Sequence, residues 1–187
     1  MTMKSIRATR RHAMLCATFL LPLVAGAAAA AQKPPAACPL LQSSEIDRLV
    51  GTKVGESHET DMVIPSGPSK GETMTGCMWG IGERGMVSIF VIRAPSKEQR
   101  DAALAKFHQG TEALKARGWT GESKDIGGAR CGTLVPPPKE SESQAVAVGC
   151  MGEAKGMALS VSSMILHTSV PPEKIKALFD AAVARLP

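Results

Sequence analysis

The sequence predicts an α+β fold: an antiparallel sheet, or two, with helices packed on one face and two disulfides as staples. Three observations carry this. Residues 73–92 and 145–166 read as two β-hairpins rich in Val, Ile and Met. Each is followed by a proline and an amphipathic helix, after Pro95 and Pro171. Four cysteines, Cys38, Cys77, Cys131 and Cys150, lie beyond a stretch that reads as an export leader.

The leader comes first in the chain. Lys4, Arg7, Arg10 and Arg11 form a positive n-region, and an uncharged stretch from Ala13 to Ala31 ends in alanines. Small residues at that point suit a signal peptidase, so residues 1–31 are expected to be a cleaved signal peptide. Pro22 and the Ala/Gly content weaken any drive to stay in a bilayer. Arg10-Arg11 is compatible with twin-arginine export, although an ordinary n-region is preferred. The leader holds four basic and no acidic residues. The remaining chain thus keeps 18 Lys+Arg against 17 Asp+Glu, and most of the formal net charge of +5 belongs to the leader. No basic footprint for nucleic acid is left, and no Lys/Arg run marks a membrane-surface patch. Neither partner is expected, nor stable membrane insertion after cleavage. The expected location is periplasmic or secreted.

Residues 32–42 form a proline-rich lead-in, and 43–187 a single domain. Ser43–Gly51 reads as a short helix with serine at its start, Glu45 and Asp47 early and Gly51 as its stop. Residues 53–64 are expected as a strand and 65–71 as a loop. The first hairpin turns at 80–85, and its second strand, 86–92, is almost wholly apolar, as a central strand should be. Ser96 and Gln99 make a capping box for a helix reaching Arg117, with Leu104, Phe107, Thr111 and Leu114 on one face and Gly118 closing it. A short strand, 130–135, precedes a polar loop, 136–143. In the second hairpin Met157, Leu159 and Val161 alternate with Ala158, Ser160 and Ser162, a pattern for one wet face. Ile175, Leu178, Phe179, Ala182 and Leu186 stripe the last helix. The Gly-Cys-Met of 76–78 and of 149–151, each followed by a turn, a Gly-Met strand and a helix, suggests two βββα pseudo-repeats behind the short first helix.

An even number of cysteines in an exported chain argues for disulfides. Four cysteines allow three pairings, and spacing does not choose among them. One bridge per half, Cys38–Cys77 and Cys131–Cys150, is the preferred expectation. No C-x-x-C redox site and no zinc spacing is present.

Motifs for catalysis are missing: no H-E-x-x-H, G-x-S-x-G, Walker loop or dinucleotide glycine pattern occurs. Residues 67–73 share a few letters with a phosphate loop but no helix follows, so a turn is expected. Ser57 and His58 are neighbours in a strand and so point to opposite faces, which speaks against a nucleophile–base pair. No catalytic residue is assigned, no cofactor is expected and the ligand-binding residues are left unknown. Seven methionines past the leader are the odd enrichment. Thioethers and thiolates suit Cu(I), which would use Met74, Cys77 and Met78. The competing expectation is core filler facing inward.

The run Cys38-Pro39-Leu40-Leu41, Glu45-Ile46, Leu49 and Gly51, then Gly76-Cys77-Met78-Trp79 and an apolar C-terminal helix, resembles small actinobacterial cell-envelope lipoproteins of unknown function. It also resembles the extracellular sensor domains of mycobacterial Ser/Thr kinases. The resemblance implies a disulfide-stabilised α+β domain with a cleft for an unidentified ligand. The chain departs from the lipoproteins because neither Cys16 nor Cys38 follows the pattern that lipidation enzymes read, and no kinase or anchoring segment is expected. No functional residue carries over.

The expectation is therefore an exported, non-enzymatic domain binding a protein or cell-envelope ligand, in an inhibitor- or immunity-like way, with loops 65–72 and 136–143 as contact segments. The alternatives are a copper carrier and a hydrolase of unrecognised type.

Overall fold

The structure is a computed structural model that describes residues 33–65, 70–138 and 145–187. The expected leader, and parts of both expected contact loops, lie outside these residues.

Seven antiparallel strands form one sheet in the order β1-β2-β3-β7-β6-β5-β4. They are β1 (Ser57–Val63), β2 (Thr73–Gly80), β3 (Gly85–Arg93), β4 (Thr120–Ile126), β5 (Ala129–Val135), β6 (Ala145–Ala154) and β7 (Met157–Leu166). Three helices accompany them: α1 (Ser43–Val50), α2 (Lys97–Ala116) and α3 (Pro172–Arg185). The α+β class, the antiparallel sheet and both bridges agree with the sequence reading. The apolar β3 is central, paired with β2 on one side and β7 on the other.

Alternation along the strands divides the sheet into two unlike faces. On the core face, Val87, Ile89, Val91, Leu159, Val161 and Trp79 are all at most 1% exposed. They pack against Ile46 of α1 and against Ile175, Leu178 and Phe179 of α3. Both disulfides belong to this core. Cys38, in a 3-10 turn (Cys38–Leu40), is tied to Cys77 of β2, and Cys131 to Cys150 directly opposite on the neighbouring strand.

The expectation of helices on one face holds for α1 and α3 and is corrected for α2. Ala103, Leu104 and Phe107 of α2 pack with Ile64, Met74, Ile92 and Ala158. Ile92 and Ala158 are register partners one step from Val91 and Leu159, so they point to the other side of the sheet. The three-residue β3–α2 connection, Ala94–Ser96, delivers the helix to that side.

Local chemistry explains the element ends. The capping box of α2 is as expected: Gln99 N–H donates to Ser96 Oγ at 3.1 Å, and Ser96 N–H to Gln99 Oε1 at 3.1 Å. In α1 the cap is one residue earlier than expected. Gln42 stands outside the helix, its N–H donating to Glu45 Oε2 at 3.1 Å. Gly51 ends α1 with φ 78°. The β6–β7 turn is Lys155-Gly156 with both φ positive, a tight two-residue connection.

The turn lengths also decide how far the pseudo-repeat goes. Four residues join β2 to β3 but only two join β6 to β7. In register, five residues lie inside the pair Gly80 and Met86 but two inside the pair Ala154 and Met157, an odd against an even number, so Gly-Met of 85–86 and Gly-Met of 156–157 fall on opposite parity. Met86 is 44% exposed on the open face, whereas Met157 is 4% exposed in the core.

Candidate functional site

The open face carries a cleft of about 610 Å³ between α2 and the sheet. Its depth comes from small residues. The side-chain positions on this face of β5, β6 and β7 include Gly132, Ala147, Gly149, Ser160 and Ser162, all lining the cleft. With no long side chain there, the space between helix and sheet is left unfilled. Ser162 Oγ lies 2.9 Å from Ser88 Oγ, which satisfies both hydroxyls across β7 and β3.

The walls are largely apolar. Phe90, Met62, Met74, Met151 and Met164 rise from the sheet, and Phe107 and Leu114 descend from α2. Met62 faces Met74 across β1–β2, and Met86 faces Met164 across β3–β7. Met62 and Met164 are 41% and 37% exposed. The methionines expected inside are thus mostly on the open face: Met62, Met74, Met78, Met86, Met151 and Met164 share it, and Met157 alone is in the core. The Leu104-Phe107-Thr111-Leu114 stripe of α2 is half-buried, because past Ala103 it overlooks the cleft.

Gly110 sits in the α2 wall. A Cβ built on it meets nothing within 4 Å, so packing does not require a glycine there. Glycine costs a helix interior about 1 kcal/mol relative to alanine. Gly76 is different. A Cβ there would meet the Phe90 ring at 2.6 Å, so the ring lies flat over the glycine and the cleft stays open beside it.

Polar groups gather at the α2 side and at one end. Lys106 and His108 line the cleft half-buried, and Lys115 is paired with Glu112 at 3.0 Å. Arg130, opposite Met151 on the open face, directs Nε to Ser123 Oγ at 3.2 Å. The ionisable groups that the structure clearly displaces lie elsewhere. Arg185 holds the Glu45 carboxyl below its usual range, and Lys124 does the same for Glu173. Asp101 raises the Lys97 ammonium. None of these lines the cleft.

The copper trio is not brought together. Cys77 is bonded to Cys38 on the core face, while Met74 and Met78 point to the open face. Among the described residues no group of three or more His, Cys, Asp or Glu could hold a metal. Ser57 and His58 are exposed on the edge strand β1, on opposite faces. Of the two contact loops, Pro65 lines the cleft, but 66–69 and 139–144 lie outside the described residues. What is described of the first loop is a turn joining β1 to β2. Ile64 N–H donates to Glu72 O, and Gly71 N–H to Ile64 O, each at 2.9 Å.

Sequence reasoning missed the cleft residues. The signal was present in the strands: Ala147-Gly149 and Ser160-Ser162 put small residues on one parity while Val, Leu and Cys held the other. A glycine inside a capped helix was a second signal.

The extracellular domain of PknH from Mycobacterium tuberculosis is similar in fold, with a TM-score of 0.55 and 14% identity over 83% of this chain and 98% of that one. The fold expected from the sensor-domain resemblance is therefore the fold found. No family model matches the chain, and no curated protein does.

Proposed function

We propose that the protein is an exported, non-enzymatic domain that binds a cell-envelope ligand in the cleft between α2 and the open face of the sheet. The observation that carries this is the cleft itself: about 610 Å³, within the range of small-molecule sites, walled by Phe and Met over a floor of Gly, Ala and Ser. A second face this apolar would ordinarily be closed by the helix crossing it. Here the small floor residues leave the space between helix and sheet unfilled. The two disulfides fit an oxidising compartment, and no helix among the described residues is long and apolar enough to cross a membrane. The leader reading of residues 1–31 supports periplasmic or secreted placement.

Native mass spectrometry of the protein purified from its own envelope or medium tests the reading. The expected result is a bound small molecule in the wild type that is missing from Gly110→Trp, where the new side chain fills the open space. Recovery of a tight protein complex that Gly110→Trp leaves intact, with no small adduct, would replace the cleft by a protein-docking surface.

A further inference from the structure

Resting on that reading, we propose that the ligand is a monoanionic amphiphile with a single flexible apolar chain. The walls select the chain. Met62, Met74, Met151 and Met164 line the cleft, and unbranched thioether side chains adapt to a bent flexible chain better than to one rigid outline. A sugar or nucleotide would need several convergent donors and acceptors. Yet of the two floor serines Ser162 is already engaged by Ser88 at 2.9 Å, which leaves the single hydroxyl of Ser160 rather than a convergent set.

Charge selects the head. Lys106 stands half-buried in the α2 wall and has no ion pair or hydrogen bond among the described residues. Arg130 lines the same cleft with only the Ser123 hydroxyl on its Nε. The other lysine, Lys115, is already answered by Glu112 at 3.0 Å. Glu122 also borders the cleft, but it faces Thr133 in register and its side chain leaves by the other face. Asp125 is the cross-strand neighbour of Arg130 on the same face, yet neither Arg130 nor Lys106 is ion-paired among the described residues, and an anionic headgroup supplies the charge-assisted hydrogen bonds they are missing. The chain lies along the methionine trough and the head stays near the α2 wall.

The test is displacement of a fluorescent polyene fatty acid from the full mature protein by dodecanoate and, separately, by dodecanol. Dodecanoate is expected to displace at a concentration at least 10-fold lower than the alcohol. Lys106→Met and Arg130→Met should each erode that preference while leaving dodecanol unchanged. Gly110→Trp should abolish both. Equal displacement by acid and alcohol, lost in Gly110→Trp, overturns the anionic head but keeps the cleft as a ligand site. Failure of the polyene acid and both dodecyl probes to bind overturns the amphiphile altogether, and the native mass measurement then decides the cleft reading on its own.

Discussion

A glycine in the interior of a 20-residue helix is a local weakness, and Gly110 has no packing reason for it. Gly110→Ala is expected to stabilise the protein by about 0.5–1 kcal/mol, read as a rise in the urea midpoint with an unchanged slope. A destabilised variant would mean that the helix bends there in a way the alanine resists. A second residue-scale test concerns Glu45 and Arg185. The guanidinium meets both carboxylate oxygens, at 2.7 and 2.8 Å, and also donates to Leu40 O at 3.0 Å. Hydrogen bonding from Arg185 is the main cause of the lowered Glu45 pKa. A lowered folded-state pKa contributes stability that is complete above the ordinary value of 4.5 and is lost as pH falls through the folded value. Glu45→Gln is expected to cost about 1 kcal/mol at pH 7 and nothing further on acidification. Wild type and variant should converge in urea titrations near pH 3. A constant gap down to that pH would place the loss in packing rather than in charge.

At the scale of elements, the strands show what pattern reading reaches and where it stops. β3 was legible as an almost unbroken apolar run, and β7 because Met157, Leu159 and Val161 alternate with Ala158, Ser160 and Ser162 as burial of one face demands. The capping box of α2 was legible because Ser96 and Gln99 act locally. β4 was not. Its Thr-Gly-Glu-Ser-Lys-Asp-Ile holds no apolar alternation, since an edge strand is held by backbone pairing to β5 and protected by charge. The face chosen by α2 was not legible either, because a half-apolar stripe looks alike whether it meets core or cleft. The same logic makes Gly76 a control on the cleft. Gly76→Val would drive the Phe90 ring off β2, and the ring's far end is free to move toward the cleft. Ligand affinity should fall at least several-fold while the urea midpoint changes little. Unaltered affinity would show that Phe90 turns outward instead.

At the scale of the molecule, one sheet serves two masters. Its core face carries α1, α3 and both bridges, and its open face carries the cleft. Successive residues of one strand therefore differ in what they do. Leu159 is 0% exposed on the core face, and Ser160 next to it is cleft floor. Leu159→Ala should cost about 2–5 kcal/mol, through lost burial and the cavity left behind. Ser160→Ala removes one hydroxyl from a half-buried site without a hydrogen bond among the described residues, and should move stability by no more than about 0.5 kcal/mol. In ligand titrations the ranking should reverse for whatever variant remains folded, with Ser160→Leu filling the floor and weakening binding. This separation follows from pleat geometry: a strand has period two, so stability and binding can be assigned to alternate residues without competing for the same positions. The disulfides extend the same division. Both lie on the core face, with sequence separations of 39 and 19, and by loop closure each is worth about 3–4 kcal/mol. Stability held there lets the other face keep its glycines, serines and gaps. If Cys131→Ser with Cys150→Ser lowers the urea midpoint but leaves ligand affinity per folded molecule unchanged, the two faces are independent. A parallel loss of affinity would show that the cross-strand bridge also sets the floor formed by Gly132 and Gly149.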